Sequence, residues 1–207
     1  MQRDNAGTLI TAYKDNPFLS QEQVKEIESA QGRHEEYFDV FGRGQRPASR
    51  KGQIFTHFKR ISAMPAGARF YSLDFGKTHD PTSFNEHHYE AATKTMSVNE
   101  LIYQTGLTSS DLCERFKQMG VSKTALIYAD SAEPLMIAEI KRYGYNIHGA
   151  VKGAGSIEAG IDKLKSMNIN MSDSSINLWK EVSWYSWELD KAGNSTNSPI
   201  DLYNHGM

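Results

Sequence analysis

The feature that most constrains this chain is a short, unbroken apolar run, Thr124-Ala-Leu-Ile-Tyr-Ala129, that stops on an aspartate, Asp130. Four to eight apolar residues without polar alternation specify a strand covered on both faces, and such strands belong to sheets with helices packed on each side. The segments around it agree. Phe70-Tyr-Ser-Leu-Asp-Phe75 is strand-like and ends at Gly76; residues 83–92 and 94–103 read as two more strands joined by a tight turn, giving an antiparallel meander of three. Ser109 or Ser110 can cap a helix running to Met119, with Gly120 as its stop. After the apolar run, helical spacing recurs over 133–143, strand content over 146–150, a helix over 156–166, a short strand over 169–171 and a helix over 177–189. A Gly/Asn/Ser/Thr loop follows over 190–198, and Pro199 is placed to open a final helix. The order β-β-β-α-β-α-β-α implies an α/β fold: a mixed sheet with helices on both faces.

Residues 1–66 have another character. They are polar and broken, and over residues 1–60 they carry ten Lys/Arg against eight Asp/Glu, a sign opposite to the rest. This segment reads as a connector. Within it Ser20-Gln-Glu-Gln23 has capping-box spacing and predicts a helix over 21–31. Arg43, Arg46, Arg50 and Lys51 follow in a stretch free of acids, either a solvated loop or an arm that contacts phosphates.

The whole chain has 23 Lys+Arg against 25 Asp+Glu, so no global basic field marks it as a nucleic-acid binder and any such contact must be local. One cysteine, Cys113, excludes an intrachain disulfide and cysteine-rich zinc sites; it reads as a small apolar helix residue. No apolar run approaches the roughly 18 residues of a membrane span, and the N-terminus lacks the apolar centre of a signal peptide, so no membrane role is expected.

The chemistry concentrates at two strand ends. Asp74 closes one apolar strand and Asp130 another, and a carboxylate so placed is costly unless a cation or hydrogen-bond donors meet it. If the two strands are neighbours, the acids stand side by side, about 4.8 Å apart, and repel unless a divalent cation lies between them. Mg²⁺ or Mn²⁺ suits an all-oxygen site of this type. The alternative for each aspartate is an ordinary cap or turn. Lys152, between Val151 and Gly153 and followed by Gly155 and by Ser156 at a helix start, is the best candidate to contact a phosphate; the alternative is a mobile surface lysine. No G-x-x-x-x-G-K-[ST] loop occurs. His79, His87 and His88 cluster, but strand alternation sends the last two to opposite faces, which opposes a shared zinc ion. Trp179, Trp184 and Trp187 read as packing residues on or near the last complete helix.

Four motifs in order, Leu73-Asp-Phe-Gly76, Asp80-Pro-Thr82, Tyr128-Ala-Asp-Ser-Ala-Glu-Pro134 and Lys152-Gly-Ala-Gly-Ser-Ile-Glu-Ala-Gly-Ile161, resemble the C-terminal nuclease domain of the large terminase subunit of tailed bacteriophages. The likeness covers about residues 69–207 and extends more weakly to Thr11-Ala-Tyr-Lys-Asp-Asn-Pro-Phe-Leu19, which resembles the segment joining ATPase and nuclease halves. It implies a ribonuclease-H-like mixed five-stranded sheet over residues 67–207, truncated in its last helix, after a linker from an upstream ATPase domain. It implies metal-dependent cutting of concatemeric DNA during packaging, in the cytoplasm of the bacterial host. Double-stranded DNA, a small terminase subunit and a portal are the implied partners. By the same resemblance Asp74 and Asp130 match two metal ligands, and a two-metal site is expected in the complete domain. Asn204-His-Gly-Met207 opens the pattern N-H-x-x-D, so His205 matches its histidine, while the aspartate position falls beyond the sequence given. The expectation is therefore weak metal binding and slow cutting, unless Glu133 or His205 compensates. A junction-resolving nuclease, and a catalytically silent DNA-binding or motor-docking module of the same fold, remain the competing readings.

Overall fold

The computed structural model describes residues 11–31, 37–44, 52–76, 80–190 and 194–200. The chain divides into two compact units, residues 1–51 and 52–207. Among its described residues the first unit holds a 3-10 turn at Tyr13–Asp15, helix α1 at Gln21–Ser29 and a π-helical turn at Phe38–Gly42. The capping box at the start of α1 is as expected: Gln23 N–H donates to Ser20 Oγ at 3.2 Å and Ser20 N–H to Gln23 Oε1 at 2.9 Å.

The second unit is built on a seven-stranded sheet. Its strands are β1 Lys59–Ile61, β2 Phe70–Asp74, β3 Thr82–Glu90, β4 Thr95–Gln104, β5 Leu126–Ala129, β6 Ile147–Gly149 and β7 Asn168–Ser172, in the spatial order β1-β7-β4-β3-β2-β5-β6. β2, β3 and β4 form the expected antiparallel meander, and every other neighbouring pair is parallel. The mixed α/β architecture is the one anticipated, widened from five strands to seven. β1 joins the edge through parallel pairing of Lys59 to Asn170 and Ile61 to Ser172, so residues 52–61 lie in the compact unit. Two of its three residues are exposed, which is why no apolar pattern announces it.

Helices cover both faces. On one, α2 (Ser109–Gln118) and α3 (Pro134–Arg142) bury Leu112, Phe116, Ile137 and Ile140 against Leu73, Phe84, Ile127 and Ile147. Phe84, Phe116, Ile127, Ile140 and Ile147 are fully buried, and the Phe84 and Phe116 rings lie 4.3 Å apart. Each such side chain contributes roughly 1.5–3 kcal/mol through burial. On the other face, α4 (Ser156–Lys165) and α5 (Ile176–Trp184) contribute Ile161, Leu178 and Val182 to a second core with Ile54, Phe55 and Met171.

Three local expectations are corrected. The cap of α2 is Thr108, whose Oγ1 accepts from Asp111 N–H at 3.2 Å while Asp111 returns a bond to Thr108 N–H at 2.9 Å; Ser109 is already inside the helix and buried. α5 ends at Trp184, because Tyr185 turns extended and the chain forms strand β8, Trp187–Leu189, paired antiparallel with β9, Ser195–Pro199. Pro199 thus closes a strand. Cys113 is buried in α2, and burial raises its thiol pKa to about 11, consistent with an apolar packing role.

Candidate functional site

Parallel pairing of β2 with β5 fixes the site. Phe70, Tyr71, Ser72 and Leu73 face Leu126, Ile127, Tyr128 and Ala129 in register, and Asp130 N–H donates to Leu73 O at 3.0 Å. Asp74 and Asp130 each stand one residue beyond the last pair, Leu73 and Ala129, at the carboxyl ends of adjacent strands. Both line one cleft of about 500 Å³. The topology sets the two acids at one rim of the sheet, at the ends of neighbouring strands.

The turn reading of Asp130 is also correct, and the two are compatible. Its Oδ1 accepts from Ala132 N–H at 2.8 Å, which closes the turn after β5 and aims the carboxylate into the cleft. Asp130 does not cap α3, whose first turn opens with Glu133 and Pro134. After Asp74 the chain turns at Gly76, where a Cβ would meet Asp80 O at 2.1 Å and Thr82 N at 2.4 Å. Only glycine lets the backbone pass so close to its own return, and Gly76 N–H is fixed to Thr82 Oγ1 at 3.0 Å.

Period-two alternation puts three further side chains on the cleft face: Ser72 before Asp74, Tyr128 before Asp130, and Asn85 opposite Ser72 on β3. The run Leu126–Ala129 was expected to be covered on both sides, yet only Ile127 and Ala129 are buried, while Tyr128 is 46% exposed. The face of β5 beneath the cleft is open. Beneath Ser72, His87 Nε2 lies 2.8 Å from Ser72 Oγ in a hydrogen bond, and the imidazole stacks on Phe70 with ring centres 5.0 Å apart. Burial lowers the His87 pKa to about 4, so the ring is neutral at pH 7. His88, on the other side of the strand, bonds through Nδ1 with Ala68 O at 3.0 Å. The two rings therefore do not converge, and His79 lies outside the described residues.

Lys152 enters the same cleft from the loop between β6 and α4, and its Nζ is 2.7 Å from Asp130 Oδ1. Ser156, in the first turn of α4, lines the cleft wall. The acids and the glycine-flanked lysine, separate signals in the sequence, are one site in space. Arg43 belongs to the first unit, where it pairs with Asp39 and lies over the Phe38 ring at 5.0 Å. Arg46, Arg50, Lys51 and His205 lie outside the described residues.

The donor set suits a hard divalent ion. Asp74 and Asp130 offer carboxylate oxygens, and the ammonium on Asp130 shows that this corner of the cleft accepts a cation. Among the described residues no cluster of three or more His, Cys, Asp or Glu side chains converges, so a Mg²⁺ or Mn²⁺ ion held here keeps water in much of its shell, as these ions commonly do. Ser72, Asn85 and Tyr128 escaped the sequence reading; a two-residue offset from each aspartate would find Ser72 and Tyr128, while Asn85 is brought in only by its strand register opposite Ser72.

Residues 74–207 match a family model described as the terminase RNase H-like domain. The large terminase subunit of Bacillus phage SPP1 is 30% identical over 211 residues, which takes in 94% of this chain and 48% of that protein; the chain thus spans about half the length of this relative. The crystal structure of the SPP1 large terminase nuclease domain with bound Mn superposes with a TM-score of 0.65 at 24% identity, over 73% of this chain and 91% of that one. The large terminase of a thermophilic bacteriophage superposes with a TM-score of 0.56 at 22% identity, over 93% of this chain and 51% of that one. At such identities the two structures establish a common fold.

Proposed function

The chain belongs to the terminase RNase H-like domain family, and on that footing we propose that it is a divalent-metal-dependent DNA endonuclease domain of a phage terminase large subunit, cutting concatemeric DNA during packaging in the bacterial host's cytoplasm. The observation that carries this reading is the placement of Asp74 and Asp130 at adjacent strand ends within one cleft. The Mn bound in the SPP1 nuclease domain supports the choice of ion.

In this reading Asp74 and Asp130 hold Mg²⁺ or Mn²⁺, which when bound activates water and neutralises the phosphate. The chain's own residues do the rest. The Ala132 amide and the β2–β5 ladder hold the Asp130 carboxylate in one orientation. Lys152 and the first turn of α4 at Ser156 bind a phosphate of double-stranded DNA, since an ammonium and the free amides of a helix start both favour an anion. Tyr128 and Ser72 form the floor on which the sugar-phosphate backbone rests. Arg43, Arg46, Arg50 and Lys51 are proposed as an additional phosphate-contacting arm, and His205 as a neighbour of the metal. Of the residues 1–66 read from the sequence as a linker, 52–66 belong to the sheet-bearing unit, and residues 1–51 are proposed as the linker from an ATPase half, with a small subunit and a portal as assembly partners.

Plasmid nicking in Mn²⁺ by the parent, Asp74→Asn and Asp130→Asn tests the reading. We expect each variant to lose at least about a hundredfold in rate, the scale of removing a preorganised charge-stabilising group. Undiminished nicking by both variants refutes it. One observation favours the silent DNA-binding module instead: Lys152 already gives Asp130 a cationic partner. Calorimetry separates the two, because a silent module takes up no Mn²⁺ at millimolar concentration.

A further inference from the structure

The loop that delivers Lys152 to Asp130 has little else to hold its tip. Val151 is 99% exposed, and a Cβ built on Gly153 or Gly155 meets nothing within 4 Å. Lys152 itself is more than half exposed, yet its Nζ sits 2.7 Å from a carboxylate oxygen that faces the cleft. A long, flexible stem on an unpacked loop can be relocated with little disturbance to the fold.

We infer that Lys152 is an exchangeable counter-cation of the acidic site: its ammonium occupies Asp130 until a divalent ion displaces it, and the released side chain then becomes available to a nucleic-acid phosphate in the same cleft. This rests on the metal-dependent reading above and adds a competition to it. The ammonium carries one charge and touches one oxygen of Asp130, whereas a divalent ion carries two and engages Asp74 as well. The two cations repel each other across so small a site, so they do not share Asp130 at full strength. Displacing the lysine is inexpensive, because a half-exposed ion pair stabilises by at most a modest amount. Once displaced, Lys152 remains beside Ser156 at the start of α4, where an anion is favoured. Metal binding and phosphate binding are thereby linked through one side chain, and by linkage each strengthens the other.

The test titrates Mn²⁺ alone, by isothermal calorimetry, into the full chain and into Lys152→Met, Lys152→Arg and Lys163→Met. Lys163 is an exposed lysine of α4, so its loss changes net charge equally without a contact to Asp130. Lys152→Met is expected to bind Mn²⁺ about two- to fivefold more tightly than the parent, the range that a half-exposed pair can hold back. Lys152→Arg should stay near the parent, and Lys163→Met should change clearly less than Lys152→Met. A second readout follows the Lys152 Nζ resonance in protein with labelled lysine: it should shift when Mg²⁺ saturates the site. Equal or weaker Mn²⁺ binding by Lys152→Met, an equal gain from Lys163→Met, or an Nζ resonance indifferent to Mg²⁺ overturns the exchange while leaving the metal site standing. Absence of Mn²⁺ binding by both parent and Lys152→Met overturns the exchange and the metal-dependent reading together.

Discussion

His87, one hydrogen bond behind the Ser72 side chain of the cleft, should make the stability of the fold sensitive to acid. Its half-buried ring stacks on Phe70, its Nε2 bonds with Ser72 Oγ, and desolvation lowers its pKa from the ordinary 6.5 to about 4. In the unfolded chain the same imidazole takes up a proton near pH 6.5. Between pH 6.5 and 4 the unfolded state therefore binds more protons than the folded state, and stability falls as pH is lowered through that window; above it the contribution is fully present, and below pH 4 the loss is complete. The full loss is about 3 kcal/mol, and the part between pH 7 and pH 5 is about 2 kcal/mol. For a domain of this size that corresponds to a fall in Tm of roughly 4–8 °C. His87→Gln keeps a polar group near Ser72 and removes the titration. Urea unfolding of parent and variant at both pH values isolates the effect, since all other titrating groups cancel in the difference. The parent should lose about 2 kcal/mol more than the variant on acidification. A difference below about 0.5 kcal/mol, less than half a pKa unit, would show that His87 is protonated as readily in the folded protein as outside it, and the account of its desolvation would be wrong.

Other expectations follow from single contacts. Gly76→Ala drives a methyl group into the returning backbone at Asp80 and Thr82 and should cost about 3 kcal/mol in denaturant unfolding, with Mn²⁺-dependent nicking falling in parallel because the turn after Asp74 is displaced. Phe116→Ala removes a fully buried ring from between Phe84 and Tyr145 and should cost about 3–5 kcal/mol, read as a lowered urea midpoint at unchanged slope. Thr108→Ala removes the hydroxyl that accepts from Asp111 N–H, leaves the Thr108 N–H bond to Asp111 in place, and should cost about 1 kcal/mol by the same measurement, whereas Ser110→Ala should be nearly neutral.

Sequence alone determined the parts that depend on local physics. The capping box at Ser20, the β2–β4 meander, the helices of the second unit to within a few residues at most ends, and the strand-ending positions of Asp74 and Asp130 all follow from short-range pattern and propensity. Where it fell short, a distant partner made the decision. β1 is a strand because β7 offers an edge to Lys59–Ile61, and α5 stops at Trp184 because the following residues pair with β9. The apolar run ending at Ala129 promised burial on both sides, but the helices above it leave Tyr128 open to the cleft, an arrangement that no window of six residues records. That Asp74 and Asp130 are neighbours depends on the crossover placing β5 beside β2, and the grip of Lys152 on Asp130 depends on β6 extending the same edge. Chain order supplied the carboxylates and the lysine; only the lateral order of strands, set by long-range hydrogen bonding and by burial of both faces of the sheet, brought their charges within reach of one another.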